Sequence, residues 1–186
     1  GYESIGSFEH GVLTAQTDVS IPVKRWHIST GAKFSSGRSQ AENTFSADAA
    51  PASHFDYSEK VAALYASADA SLGKWMLYAG LRGEYTWTQT TISNHYGDLF
   101  PTASFTRRFG KAWSLTLQHS SRISRPSFSS LNPFRWYLTP YSYSLGDPYL
   151  EPSRLRITEF SIMEGRKFKT DISWAHQKGQ VGSLVL

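Results

Sequence analysis

Residues 75–88 read WMLYAGLRGEYTWT, and this stretch alternates between two kinds of side chain. One parity is apolar with a tryptophan at each end (Trp75, Leu77, Ala79, Leu81, Tyr85, Trp87), and the other is mainly polar after Met76 and Tyr78 (Arg82, Glu84, Thr86, Thr88). A period of two indicates a β-strand with unlike faces. At ~3.3 Å per residue and a tilt of roughly 45°, the two tryptophans lie about 28 Å apart along the membrane normal. This matches the ~25 Å apolar band, edged by aromatic girdles, of an outer-membrane barrel.

The flanking sequence continues this alternation. Residues 62–72 alternate alanine or leucine with polar side chains, which favours a strand over the helix that alanine otherwise prefers. The fold is therefore predicted to be all-β: an antiparallel meander of about eight strands from a transmembrane β-barrel, with residues 1–186 part of one barrel domain. The remaining strands are predicted at 11–21, 26–35, 57–72, 102–109, 113–124, 154–163 and 168–174.

The connections between the predicted strands alternate in length. Short, basic turns are predicted at 22–25, 73–74, 110–111 and 164–167, and longer loops at 36–56, 91–98 and 125–152. Outer-membrane barrels have short periplasmic turns and longer extracellular loops. This arrangement favours a membrane barrel over a soluble barrel or sandwich. It predicts a location in the bacterial outer membrane, with outer-membrane lipids as partners.

Composition excludes several classes of protein. Charged residues are 18% and aromatic residues 15% of the chain, a balance that favours an all-β protein with much aromatic surface. Without cysteine there is no disulfide or thiolate chemistry. The net charge is +4 and the basic residues are scattered, so no nucleic-acid partner is predicted. The histidines lack metal-ligand spacing and no catalytic constellation stands out, so no enzyme, metal or cofactor is predicted.

Residues 125–152, RPSFSSLNPFRWYLTPYSYSLGDPYLEP, hold five of the eight prolines and a dense run of aromatics. The segment fits neither a helix nor a strand, and we predict a long ordered loop that packs on itself. Its aromatic rings have two open roles, packing the loop into a rigid flap or stacking on a sugar or peptide. The candidate ligand-binding residues are Arg125, Phe128, Asn132, Phe134, Trp136, Tyr137, Tyr141, Tyr143 and Asp147.

Four charged side chains on the polar parity of the strands are predicted to face the barrel lumen: Asp69, Arg82, Glu84 and Arg122. They would form ion-pair networks or contact a translocating substrate. At the loop base, Arg122 and Arg125 are expected to anchor backbone carbonyls or acids such as Asp147 and Glu151.

The stretch 120–153, SSRISRPSFSSLNPFRWYLTPYSYSLGDPYLEPS, resembles TonB-dependent outer-membrane receptors of the outer-membrane β-barrel type. In that family an R-I-x-R-P-x-[FY]-x-x-L-N-P-[FY] segment is followed by N/D-P-x-L-x-P. The resemblance covers about residues 55–175, and Asp147 stands where the family often has Asn. The motif is carried here by Arg122, Ile123, Arg125, Pro126, Phe128, Leu131, Asn132, Pro133 and Phe134, then by Gly146, Asp147, Pro148, Leu150, Glu151 and Pro152.

The resemblance implies a nutrient transporter with a large plugged barrel, of about 22 strands. Its implied partners are its own plug domain and the TonB system, and a surface lipoprotein is compatible with it. Extracellular loops would capture an oligosaccharide, peptide or metal chelate, and plug movement driven from the inner membrane would follow. Because the plug domain, the TonB box and a terminal strand ending in an aromatic are missing, the sequence is expected to be an internal fragment.

Three other interpretations stay open from the residues. One is a self-contained eight-stranded outer-membrane barrel with a structural or adhesive role, since eight strands suffice to close a barrel. Its polar parity is rich in serine and threonine, which would pack a closed interior poorly. A soluble lipocalin-like carrier is disfavoured by outward tryptophan and leucine. A barrel enzyme is disfavoured by the lack of a recognisable Ser/His/acid set.

Overall fold

A computed structural model describes residues 4–45, 53–90, 92–139 and 142–179. One antiparallel sheet of eight strands dominates it, in the order β1-β2-β3-β4-β5-β6-β9-β10, so the predicted all-β meander is confirmed. None of the described helices is long and apolar enough to cross a membrane. The sheet strands are β1 (Ser4–Val23), β2 (Trp26–Phe45), β3 (Ser53–Leu72), β4 (Trp75–Gln89), β5 (Ser93–Phe109), β6 (Trp113–Ser124), β9 (Ser153–Glu164) and β10 (Phe168–Lys178).

Several strands are longer than predicted. β2 continues to Phe45 and β3 begins at Ser53, so most of the predicted loop 36–56 is strand. β5 begins at Ser93, so the predicted loop 91–98 is mostly strand too. These extensions lie beyond the apolar band. Their two faces no longer differ in polarity, so the sequence shows no alternation there. The pairing of β2 with β3 nevertheless runs unbroken from Trp26↔Ala70 to Asn43↔Ser53.

The strand register places the apolar residues of neighbouring strands on the same face of the sheet. Phe34 pairs with Ala62, Ala62 with Tyr85 and Tyr85 with Gly97, which joins the apolar parities of four strands into one apolar face. The opposite, polar face carries Glu59 and the even-numbered positions of β4. On the apolar face Leu64 is 71% exposed, as expected for a surface that meets lipid.

The sheet has two distinct ends. At the short-turn end, tight turns join β1 to β2, β3 to β4, β5 to β6 and β9 to β10. At the long-loop end, the loop segment (residues 125–152) connects β6 to β9. The few buried apolar side chains lie mainly toward this end, on the polar face or in the loop segment, and include Phe55, Val61, Phe100 and Leu131. The loop segment therefore covers the polar face and forms a small core with it.

The loop segment contains regular structure that the sequence did not reveal. Its elements are the single-turn helix α1 (Phe128–Leu131) and a separate two-stranded sheet of β7 (Trp136–Thr139) and β8 (Ser142–Ser144). The expectation that it fits neither helix nor strand is therefore wrong for these short elements. Ser127 caps α1, because its side-chain oxygen accepts a hydrogen bond from the Ser130 backbone N–H.

Candidate functional site

Arg125 fixes the first end of the loop segment to the polar face. Its Nη2 donates to Glu84 Oε2 at 2.6 Å and to Thr86 Oγ1 at 2.9 Å. Its Nε lies 3.7 Å from Glu59 Oε2, so the guanidinium sits between carboxylates of β3 and β4. Glu84 also accepts from Arg82 Nε at 2.5 Å. Thus one carboxylate with only 10% of its side chain exposed holds two arginines.

The environment keeps Arg125 charged. Burial alone would lower the pKa of Arg125, but the hydrogen bond to Glu84 and the charge of Glu59 outweigh it and raise that pKa above its ordinary value. The Nε atom is buried and has no hydrogen-bond partner among the described residues. The expected pairing of Arg125 with Asp147 or Glu151 is wrong, since its partners come from the sheet strands.

Arg154 fixes the other end of the loop segment. This residue is the second of β9, and its Nε and Nη2 donate to the two carboxylate oxygens of Asp98 at 2.5 and 3.0 Å. Asp98 and Glu84 are direct partners in the register of β4 and β5. Like charges directly opposite each other destabilise a sheet. Arg125 and Arg154 neutralise this pair, and we call the four residues together the double clamp.

An aromatic cluster packs α1 against the strands. The Phe128 ring centroid lies 5.2 Å from that of Phe8 in β1 and 5.3 Å from that of Phe55 in β3. Phe134 meets Phe55 edge-on with centroids 6.3 Å apart. Phe55 is 3% exposed and Leu131 is 5% exposed. Phe128 and Phe134 therefore have a packing role in the loop segment.

The loop segment also holds itself together through its backbone. Gly146 N–H donates to the Asn132 carbonyl and Asp147 N–H to the Ser130 carbonyl, both at 2.8 Å. The side chains of Asn132 and Asp147 accept from the backbone N–H of Phe134 at 3.0 Å and of Tyr149 at 2.9 Å. A Cβ at position 146 would lie 2.6 Å from two of these carbonyl oxygens, so only glycine fits there. These contacts confirm that the segment packs on itself.

A cavity of about 130 Å³ remains between the loop segment and strands β3 to β5. The Tyr57 hydroxyl donates to Glu59 at 2.9 Å at its edge. The lining therefore combines aromatic and proline surface with the ion pair of Glu59 and Arg125, a mixture suited to a polar ligand. Its lining includes Tyr57, Glu59, Tyr96, Arg125, Tyr149 and Pro152.

The hairpin of β7 and β8 forms a sheet of its own within the loop segment. Tyr143 is 47% exposed, and the guanidinium of Arg135 lies 4.8 Å from its ring centroid. Trp136 and Tyr137 belong to β7, but their side chains lie outside the described part of the structure. Tyr141 lies outside the described residues altogether. Of the candidate ligand-binding aromatics with described side chains, Tyr143 is the most open to solvent.

The predicted lumen-facing residues share one side by register. Tyr65 pairs with Arg82. Asp69 lies in the same strand as Tyr65 and at the same parity, so all three side chains are on the polar face. Asp69 is 3.2 Å from His27 Nδ1, and the Arg82 guanidinium lies 5.3 Å from the Tyr65 ring centroid. Arg122 is exposed in β6 and pairs with Leu155. Glu84 thus belongs to the double clamp and Arg82 bonds to it, whereas Asp69 lies toward the short-turn end.

Sequence reasoning missed several members of the site. Glu59, Thr86, Asp98 and Arg154 were not singled out, although Glu59 and Thr86 lie on the polar parity of predicted strands. A search for acids on that parity near the loop end would have found Glu59. Among the residues that the structure describes, no group of three or more His, Asp or Glu side chains could hold a metal ion.

These features define a class of protein: a transmembrane β-sheet with lipid-exposed apolar surface and a polar face covered at one end by a clamped loop. The chain belongs to the outer membrane protein beta-barrel family, which it matches over residues 3–184. The protein is therefore a bacterial outer-membrane protein. No curated protein sequence matches the chain significantly.

Solved structures share the fold. The chain superposes on the copper transporter OprC with a TM-score of 0.64 and 12% identity, covering 91% of this chain and 30% of that one. The ferric yersiniabactin uptake receptor FyuA from Yersinia pestis gives a TM-score of 0.64 at 8% identity, and the match covers 95% of this chain and 30% of that one. The ferripyoverdine receptor of Pseudomonas aeruginosa gives a TM-score of 0.65 at 12% identity, and the match covers 95% of this chain and 26% of that one. The chain thus spans less than a third of the length of these proteins.

Proposed function

We propose that this chain forms part of the barrel of a TonB-dependent outer-membrane receptor that takes up a nutrient too large for porins. The observation that carries the proposal is the open sheet: among the described residues, β1 and β10 each pair with only one neighbouring strand. Unpaired strand edges are not tolerated in hydrocarbon, because their backbone N–H and C=O groups would lack hydrogen bonds. On this proposal, further strands pair with β1 and β10 and complete the barrel, as in a large receptor.

The similar solved proteins support this proposal. Those described above are a copper transporter and receptors for ferric chelates. By analogy, the ligand of this protein is a metal chelate, an oligosaccharide or a peptide, and its partners are a plug domain in the lumen and the TonB system. On this proposal the polar face with Asp69, Arg82, Glu84 and Arg122 lines the lumen. A surface lipoprotein that delivers ligand fits the same arrangement.

Within the loop segment we assign two roles. Arg125, Phe128, Asn132, Phe134 and Asp147 position the segment. The hairpin aromatics Trp136, Tyr137, Tyr141 and Tyr143 contact the ligand. Tyr143 carries this assignment, since its ring is exposed and backed by Arg135. Amphipathic rings held on a rigid scaffold suit contact with sugars, peptides and chelates.

The first test is the mass of the native protein in the outer-membrane fraction, detected with an antibody against residues 126–152. We expect a band several times the 20.8 kDa of this chain. A band near 20.8 kDa would instead support a self-contained eight-stranded barrel with a structural or adhesive role and would overturn the transport proposal.

The second test is uptake. A deletion strain and a TonB-deficient strain are grown with ferric chelates, oligosaccharides or peptides as the only iron or carbon source. We expect both strains to lose growth on the same compound. Tyr143→Ala in the complete receptor should then weaken binding of that compound about tenfold. Tyr78→Ala, a half-exposed tyrosine of the polar face remote from the loop segment, is the matched control.

A further inference from the structure

The short-turn end of the sheet is basic in every connection. Lys24 and Arg25 join β1 to β2, Lys74 joins β3 to β4, Lys111 lies between β5 and β6, and Arg166 with Lys167 join β9 to β10. The turns are also linked to each other. Arg108 N–H donates to the Lys74 carbonyl, and Gly165 N–H donates to the Ala112 carbonyl, both at 2.8 Å. All of these cations lie at one end of the sheet, and we call them together the basic rim.

Arg107 lies beside this rim on the apolar face. It pairs in register with Trp75, and its guanidinium carbon lies 4.4 Å from the Trp75 ring centroid and 4.6 Å from the Phe109 ring centroid. Arg107 is exposed, and no described carboxylate forms an ion pair with it. The two rings hold the guanidinium by cation–π attraction, which leaves its N–H donors free.

The surrounding aromatic side chains place Arg107 at the membrane surface. Trp75 and Phe105 have ring centroids 4.8 Å apart, and Trp113 and Phe168 have centroids 6.2 Å apart, all at the short-turn end of the apolar face. Such aromatic belts mark the level of lipid headgroups. A cation on a lipid-facing surface is costly in the hydrocarbon but favourable at this level.

The rim carries more cations than carboxylates. None of the rim cations named above forms an ion pair with a described residue, whereas nearby Lys169 is paired with Asp171 at 2.9 Å. A guanidinium binds phosphate oxygens through two parallel hydrogen bonds, and lysines add positive charge around it. Basic clusters beside a membrane attract anionic lipids.

We propose that Arg107, with Lys74 and Lys111 of the adjacent turns, binds the phosphate of an anionic phospholipid, such as cardiolipin, in the leaflet at the short-turn end. Short turns of outer-membrane barrels face the periplasm, so this is the inner, phospholipid leaflet. The site depends on the family and the fold, and it stands whether or not the protein is a transporter.

The test uses the complete barrel protein that contains this chain, purified in neutral detergent and mixed with cardiolipin, phosphatidylcholine, lipopolysaccharide or inorganic phosphate. Retained lipid is counted by native mass spectrometry. The variant is Arg107→Gln with Lys74→Gln. The matched control is Lys60→Gln, because Lys60 is also an exposed cation on the apolar face that pairs in register with a tryptophan, Trp87, at the other end.

We expect the wild type and the Lys60→Gln variant to retain cardiolipin in preference to phosphatidylcholine. Each cation removed from the rim should weaken cardiolipin binding about fivefold. Arg107→Lys should lie between wild type and Arg107→Gln, since it keeps the charge and loses the planar stacking. Heat-shifted gel mobility verifies that each variant is folded, and a variant that fails this check is replaced by Arg107→Lys alone.

Three results would overturn the proposal. Equal cardiolipin retention by the wild type and the double variant would show that the rim is not the site. Competition by inorganic phosphate as strong as that by cardiolipin would mean a free-anion site. Loss of lipopolysaccharide, with cardiolipin retention unchanged, would place the cations at the opposite leaflet.

Discussion

The two ends of the sheet use their positive charges in opposite ways. At the long-loop end, Arg125 is bound to a carboxylate of β4 and Arg154 to a carboxylate of β5, and Glu84 and Asp98 are largely buried. At the short-turn end, the cations of the basic rim have no carboxylate partner among the described residues, and the Arg107 guanidinium lies against the rings of Trp75 and Phe109. Paired charges fix a loop in place, whereas unpaired charges are available to something outside the chain.

The difference follows from what each end must do. A loop of 28 residues, from 125 to 152, has few backbone hydrogen bonds to the sheet and needs side chains to hold it there. The tight turns are fixed by their flanking strands and need no such contacts. Their cations therefore carry no folding role that the structure reveals.

The largest expected effect is at the double clamp. Arg125→Met keeps the length of the side chain and leaves Glu84 buried with one partner fewer. Removing one member of a buried pair costs about 4 kcal/mol. We expect local opening of the loop segment, measured as faster hydrogen exchange at Gly146 and Asp147, whose N–H groups bond within the segment.

The control for this experiment is Arg125→Met combined with Glu84→Gln. Neutralising Glu84, which Arg125→Met leaves with one partner fewer, should restore part of the hydrogen-exchange protection at Gly146 and Asp147. Equal exchange in the wild type and in Arg125→Met would show that the aromatic cluster alone holds the loop segment.

The next effect concerns that aromatic cluster. Phe55→Ala removes the ring that both Phe128 and Phe134 contact, and a buried phenylalanine deletion costs about 3 kcal/mol. We expect easier proteolysis of the loop segment in the purified barrel. Phe8→Ala is the control, since Phe8 is 60% exposed and its loss should cost less than about 1 kcal/mol. Similar cleavage in both variants would contradict the role of Phe55.

A third prediction compares glycines at the two ends. Gly146→Ala forces a Cβ against two carbonyl oxygens at 2.6 Å and should cost about 2 kcal/mol. Gly110 lies in open space at the short-turn end, but its φ of 55° is left-handed, so Gly110→Ala should cost about 1 kcal/mol. Asparagine tolerates this conformation, so Gly110→Asn should melt close to wild type, whereas Gly146→Asn should not. Melting temperatures in detergent measure all four.

The smallest effect is expected for the ion pair of Lys169 and Asp171 at the short-turn end. Its N–O distance of 2.9 Å is close to that of Arg125 and Glu84, but 61% of the Lys169 side chain is exposed. Exposed pairs contribute little, because water and salt screen them. Lys169→Ala should leave the melting temperature unchanged. A loss as large as that of Arg125→Met would mean that burial does not distinguish the two ends.

The sequence predicted the strands wherever the membrane imposes two unlike faces. Residues 75–88 show this most clearly, and β4 matches that range to within one residue. The prediction failed outside the apolar band, where β2 continues to Phe45 and β5 begins at Ser93. There neither face meets lipid, so alternation disappears while backbone pairing continues. Proline-rich composition likewise concealed α1 and the small hairpin.

The site was only partly predictable. Arg125 and Glu84 were both singled out, but their hydrogen bond joins residues 41 positions apart, and no local pattern encodes such a contact. The partners expected for Arg125 were nearby acids in the loop segment. The true partners lie on neighbouring strands whose register the sequence did not fix. The close contact of Gly146 with the carbonyl oxygens of Ser130 and Asn132 could not be predicted either, because it depends on how the loop segment folds back on itself.

The connection from β6 to β9 also affects the order in which the barrel assembles. All other neighbouring strands are consecutive in the chain, and most are joined by turns of a few residues. Closing a loop of about 28 residues costs about 2 kcal/mol more entropy than closing a two-residue turn. The hairpin of β9 and β10 is therefore expected to join the growing sheet late, once the loop segment has docked on Glu84 and Asp98. Insertion machinery would meet these strands as two separate units, β1 to β6 and β9 with β10.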